Sequence, residues 1–182
     1  MTVTVINDGN ITILKEHIRR LAGCILEREK ERAELKEDMK ELRLQLSYVM
    51  PKNLVNKAIK VWFYKGCVKK DDVDEYQQVC DLLHLPYTCD IYQPSDTDFS
   101  DTEKEVRSKA TPILQRYSTL EQDYAELSDD IKDYYAEAKG LGISVPLLKK
   151  LVDFVLHPDK LLNYREDTPL LEVYTEVIPE IK

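Results

Sequence analysis

From Ile13 to Leu46 the apolar residues Leu14, Ile18, Leu21, Ile25, Leu35, Met39, Leu42 and Leu46 recur at alternating steps of three and four. That spacing draws one stripe along a helix, the a/d seam of a coiled coil. Arg28 and Arg32 occupy two seam positions. This stretch of the helix is therefore expected to face solvent, a carboxylate or a charged ligand rather than a dry core. A second seam, unbroken, runs through Ile113, Tyr117, Leu120, Tyr124, Leu127, Ile131, Tyr134 and Ala138. Thr111 and Pro112 predict its start, as N-cap and first helical residue, and Gly140 and Gly142 predict its end. Shorter amphipathic segments follow each seam: Pro51–Tyr64 and Asp74–Leu83 after the first, Ser144–Leu156 and Pro169–Ile178 after the second.

The two seams superpose with a shift of 92 residues, which brings Glu34, Leu35, Asp38, Met39 and Lys40 onto Glu126, Leu127, Asp130, Ile131 and Lys132. After the turn the match resumes at a shift of 93, with Leu54, Val55, Lys57 and Ile59 on Leu147, Leu148, Lys150 and Val152. Self-similarity at a fixed offset is the mark of a repeated structural unit. The expected fold is all-α, with two tandem units, each a long coiled-coil helix followed by two short helices. Residues 1–89 would be the first unit, 90–103 an acidic, proline-containing linker and 104–182 the second.

Charge changes the picture. The chain of 182 residues has a net charge of −8, which on its own argues against a polyanionic partner. The charge is not spread evenly. Residues 1–91 hold 15 basic and 15 acidic side chains, and residues 92–182 hold 11 and 19. Pro51–Lys70 carries six lysines and no acid, whereas Asp71–Glu103 carries ten acids and no Lys or Arg. On the helix predicted there, Lys52, Asn53, Asn56, Lys57 and Lys60 share one face, and Leu54, Val55, Ala58, Ile59, Trp62 and Phe63 take the other. Lys65, Lys69 and Lys70 extend the charge into the next loop. Mobile cations beside short amide donors suit a surface that tracks phosphates without reading base edges. A plain solvated face has the same composition; the absence of any compensating acid favours the binding surface.

Catalytic signatures are missing: there is no GxSxG, P-loop, GxGxxG or HExxH, and His17, His84 and His157 lie far apart. A non-enzymatic protein without a cofactor is expected. Cys67, Cys80, His84 and Cys89 could be combined into a zinc set, but none of their spacings is a short ligand loop, and free thiols are the simpler expectation for all four cysteines, Cys24 included. No run approaches the ~18 apolar residues of a membrane span, so a cytoplasmic protein with no membrane partner is expected.

The stretch Asp130-Ile-Lys-Asp-Tyr-Tyr-Ala-Glu-Ala-Lys-Gly-Leu-Gly-Ile-Ser-Val-Pro-Leu-Leu-Lys-Lys-Leu-Val152 resembles the GapR-like family of bacterial nucleoid-associated proteins, and Leu170-Leu-Glu-Val-Tyr-Thr-Glu-Val177 is similar to that family's last helix. The layout also looks like the small double-stranded-DNA-binding protein DsbA of T-even phages. The close match covers residues 120–178; the first half matches chiefly in layout. The resemblance implies an all-helical, oligomeric protein that clamps duplex DNA through lysines near the turn and second helix. Lys139, Lys149 and Lys150 stand where the family pattern is basic, while Pro146, Asp153 and Val155 depart from it. One copy per chain is the family norm, so a tandem arrangement is a departure too.

Sequence-tolerant binding of double-stranded DNA through the phosphate backbone is the leading expectation, with self-association. The alternative is an acidic interaction protein, a DNA mimic or an inhibitor of a host DNA-binding or defence protein. Both require the helices. Circular dichroism should give the double minimum of a mostly helical chain; a β-rich spectrum would contradict both seams.

Overall fold

The structure, a computed structural model, describes residues 8–63, 73–83 and 101–162. They form six helices: α1 (Asp8–Val49), α2 (Lys52–Phe63), α3 (Val73–Leu83), α4 (Asp101–Gly140), α5 (Val145–Leu156) and α6 (Pro158–Leu162). There is no strand among the described residues. Packing divides the chain into two compact units, one of Met1–Ala33 with Glu126–Lys182 and one of Glu34–Ala125. Each long helix therefore gives one part to each unit. The predicted segment Pro169–Ile178 lies outside the described residues.

In the unit built from the first part of α1 and the end of α4, Leu21, Ala22, Ile25 and Leu26 pack with Ile131 and Ala138 and with Ile143, Leu148, Leu151 and Val152. The two long helices run antiparallel here, since Arg20 pairs with Glu137 and Arg28 with Asp130. The seam arginines meet carboxylates. Arg28 reaches Glu31 at 2.7 Å and Asp130 at 3.3 Å, and Arg32 reaches Glu29 at 3.5 Å. The hydrogen bond and charge of Glu31, followed by the charge of Asp130, raise the Arg28 pKa above its ordinary value. Ala22 and Leu26 widen the stripe beyond the expected seam, and Leu14 falls off it, 39% exposed.

In the other unit Leu46, Met50, Leu54, Val55, Ala58 and Val61 pack with Tyr76, Val79, Cys80 and Leu83 of α3 and with Ala110 and Leu114 of α4. Met39 and Leu42 close on Tyr117 a few turns away. The pairings again fix an antiparallel course of α1 and α4. Cys24 and Cys80 are free thiols; Cys80 is buried, and its pKa is pushed up to about 11 by that burial and by the charge of Asp81. Cys67, His84 and Cys89 lie outside the described residues, and no metal-holding group occurs among the described ones.

The turns differ in chemistry. Between α1 and α2 only Met50 and Pro51 intervene, with Met50 N–H donating to Leu46 and Leu54 N–H to Pro51, both at 2.9 Å. Proline cannot continue α1, and it biases the residue before it away from helical backbone. Between α4 and α5 the chain uses Gly142, whose φ of 75° suits a residue without Cβ. Ile143 N–H donates to Ala138 and Gly142 N–H to Lys139, the paired bonds of a Schellman ending, with Ile143 and Ala138 in one apolar cluster.

The start of α4 corrects the sequence expectation. It begins at Asp101, so Pro112 lies within the helix rather than at its first turn. A proline there forgoes the bond to the Ser108 carbonyl, at a cost of ~3 kcal/mol. The helix continues because Val106, Ala110, Ile113 and Leu114, on both sides of Pro112, belong to one cluster. Capping preferences mark where a helix can start; burial of a turn lying before the cap decided where it does.

Leu46 and Leu148 are both essentially fully buried, one in each unit. Replacing either by alanine should cost about 2–5 kcal/mol in urea unfolding, as lost transfer energy plus a cavity. An unchanged midpoint for Leu148→Ala would contradict the burial of the apolar face of α5.

Candidate nucleic-acid interface

Within the Glu34–Ala125 unit, the apolar face of α2 fixes where its lysines go. With Leu54, Val55, Ala58 and Val61 buried, Lys52, Asn53, Asn56 and Lys60 are exposed. The shared polar face expected from the sequence is therefore present at these four positions. Lys57 is half-buried, with its ammonium 5.9 Å from the ring centroid of Tyr76 on α3, and so is in part a packing residue. Phe63 departs from expectation: it is 37% exposed and faces a groove instead of the core. Lys65, Lys69 and Lys70 lie outside the described residues.

That groove, about 340 Å³, is lined by Arg43 of α1, Asn56, Ile59, Lys60 and Phe63 of α2, and Tyr117 and Glu121 of α4. Arg43 donates to the Tyr117 hydroxyl at 2.6 Å, and its guanidinium carbon stands 5.4 Å from that ring's centroid. Tyr117 is buried, which raises its pKa; the Glu121 carboxylate adds to the rise and Arg43 opposes it. The sequence reading missed Arg43. It lies beside seam residue Leu42 and eight residues before Pro51, outside the lysine cluster, and only the packing of α1, α2 and α4 on one another brings it beside Asn56, Lys60 and Tyr117.

Within the other unit, Lys139, Lys149 and Lys150 are exposed. Lys139 sits in the last turn of α4, where a cation also favours the helix dipole. Lys149 places its ammonium 5.1 Å from the centroid of Tyr135, whose pKa is raised by burial and by Glu29 against the opposing charge of Arg32. Asp153 follows one turn after Lys149 and Lys150. It accepts from Lys160 at 2.7 and 2.9 Å and stands 3.0 Å from His157. Among the described residues no helix is long and apolar enough to cross a membrane.

These observations define a class: an all-helical protein whose two long antiparallel helices each lead through a tight turn into a short helix bearing exposed lysines. Residues 106–178 match the family model described as "GapR-like, DNA-binding domain". A UPF0335 protein of Rhizobium etli (strain CIAT 652) is 31% identical over 83 residues, which span 46% of this chain and 93% of the relative. A UPF0335 protein of Caulobacter vibrioides (strain NA1000 / CB15N) is 41% identical over 69 residues, 38% of this chain and 75% of the relative. One of Methylobacterium sp. (strain 4-46) is 30% identical over 78 residues, 43% of this chain and 86% of the relative. No solved structure matches. The chain belongs to the GapR-like family.

The Asp153 carboxyl is held below its ordinary value, first by the hydrogen bond from Lys160 and then by the charges of Lys160 and His157. A depressed folded pKa means that this pair's contribution is present above the unfolded carboxylate pKa and is lost as pH falls through the folded value. In an NMR titration the Asp153 midpoint should lie below 3.8, and Lys160→Ala should raise it. An unchanged midpoint would remove Lys160 as the cause.

Proposed function

We propose that this chain binds double-stranded DNA through its phosphate backbone, without dependence on base sequence, and acts as a binding protein rather than an enzyme. The observation that carries the reading is the exposed face of Lys52, Asn53, Asn56 and Lys60 on a helix with no acid, in a chain that is otherwise acidic. Membership of a family whose model is described as DNA-binding supports it. Lys57 joins this face in part, and Lys65, Lys69 and Lys70 are proposed to extend it. Lys139, Lys149 and Lys150 form a second and weaker basic set.

The weaker role of the second set has an electrostatic basis. Asp153 and Asp159 lie close to Lys149 and Lys150 in sequence, and charges within about 8 Å of a contact are not cancelled by screening at physiological salt. Lys160 offsets part of Asp153, at 2.7 Å, but the local sum is less positive than on α2.

A tandem origin is part of the proposal. The Rhizobium etli relative matches over 93% of its length and covers 46% of this chain, so this chain is about twice as long. Two copies would serve as a pseudo-dimer in a bacterial or phage-infected cytoplasm. Further self-association would use exposed apolar side chains such as Leu44 and Tyr48, one turn apart on α1. The acidic-mimic reading keeps one supporting observation, the 19 acids against 11 bases in residues 92–182.

The test is a mobility shift or anisotropy titration on random duplex DNA across a salt series. Each lysine that neutralises a phosphate contributes about 0.9 to the slope of log affinity against log salt. Lys52→Gln with Lys60→Gln, both at exposed positions, should weaken binding evenly across sequences and flatten that slope. Lys149→Gln with Lys150→Gln should do less. A parent protein that bound no duplex at low salt would end the DNA reading in favour of the mimic.

A further inference from the structure

We propose that the groove between α1, α2 and α4 in the Glu34–Ala125 unit seats one sugar–phosphate of duplex DNA, with Arg43 as the residue that holds the phosphate. The inference rests on the DNA-binding reading and names a site within it. The make-up of the groove carries it. Arg43, Lys60 and Asn56 supply two cations and an amide donor, while Ile59 and Phe63 supply an apolar wall. A backbone unit presents the same combination: an anionic phosphate beside an apolar deoxyribose edge.

Arg43 is suited to the phosphate by how it is held. A guanidinium has five N–H donors in a planar fork, and the bond to Tyr117 at 2.6 Å engages one of its two terminal nitrogens. The remaining donors stay available for a phosphate, and the ring beneath limits the arginine's rotamers. Tyr117 is itself anchored, buried beside Met39 and Leu42, and its hydroxyl also interacts with Glu121. Glu121 lines the same groove and opposes an anion. Its engagement with the Tyr117 hydroxyl offers a partner other than the ligand, and Arg43 with Lys60 outnumbers it.

The other unit has no such groove make-up at the positions that the sequence shifts align. There Tyr135 stands for Arg43, Lys149 for Asn56 and Asp153 for Lys60. Lys149 lies over Tyr135, and Asp153 is bound by Lys160. The proposed seat is therefore particular to the first set of residues.

The experiment uses the full chain, a random duplex and the matching single strand, each over a salt series, with circular dichroism melts as a folding control. Arg43→Gln should lower duplex affinity several-fold and reduce the salt slope by about one. Arg43→Lys should restore part of the slope and less of the affinity, because a point charge lacks the fork. Tyr117→Phe keeps the ring and removes the hydroxyl; it should lower affinity with little change of slope. Lys109→Gln, which removes a cation engaged by Glu105 at 2.6 Å, should leave both near the parent. Phe63→Leu should keep duplex binding, since leucine can still pack on a sugar. If Arg43→Gln matches the parent while Lys52→Gln weakens binding, the DNA reading stands and this site is wrong. If Phe63→Leu abolishes binding, or the single strand binds more tightly than the duplex, the groove stacks bases and the proposal is overturned.

Discussion

A narrow apolar stripe along a helix of forty residues cannot stay in water, and this molecule is organised around covering two of them. α1 and α4 are mostly polar; what they bury is a line of Leu, Ile, Met, Ala and Tyr. A fully buried leucine or isoleucine contributes roughly 1.5–3 kcal/mol relative to exposure, so a stripe of several decides the pairing. Within each unit the partner stripe runs antiparallel. The short helices then complete the cover: α2 and α3 over Leu46, Ala110 and Leu114, and α5 over Leu21 and Ile25. Lys52 and Lys60 of α2 and Lys149 and Lys150 of α5 are exposed because the opposite face of each helix is committed to that cover.

The polar fringe does different work. Arg20–Glu137 and Arg28–Asp130 are exposed pairs, of the kind that contributes little to stability. Both pairs belong to one register of α1 against α4, and sliding the helices would separate them. Arg28 and Arg32 interrupt the apolar stripe where it would otherwise continue, and their carboxylates lie close by, three residues away on the same helix and, for Arg28, on α4 as well. The two units also differ in electrostatic character. The α2 segment itself contains no acid, whereas on α5 the charge of Asp153 is met by Lys160 and His157.

Much of the fold was legible in the pattern of residues. The stripes located α1 and α4, the end of α4 at Gly140 followed from the glycines, and α2, α3 and α5 appeared within a residue or so of their observed bounds. The errors share a cause. Pro112 looked like a helix start because capping chemistry is local, yet α4 begins at Asp101, since Val106 and Ala110 have a cluster to join. Phe63 looked like core because it is apolar, yet α2 turns it towards the groove. Lys57 falls on the polar face by spacing, and what the spacing does not carry is that Tyr76 of α3 lies under its ammonium.

By itself the sequence determined the helical class, the two stripes, the turn positions and the segment where lysines gather without acids. Each of these is a property of periodicity or composition along one stretch of chain, and a helix converts such periodicity directly into a face. Only the tertiary structure decided that each compact unit takes parts of both long helices, that α4 runs through its proline, and that Arg43 shares a groove with Asn56, Lys60 and Tyr117. Arg43 and Tyr117 are 74 residues apart. Nothing local to either position encodes the other, because what brings them together is the burial of Met39 and Leu42 against Tyr117, a constraint that exists only once the two stripes have met.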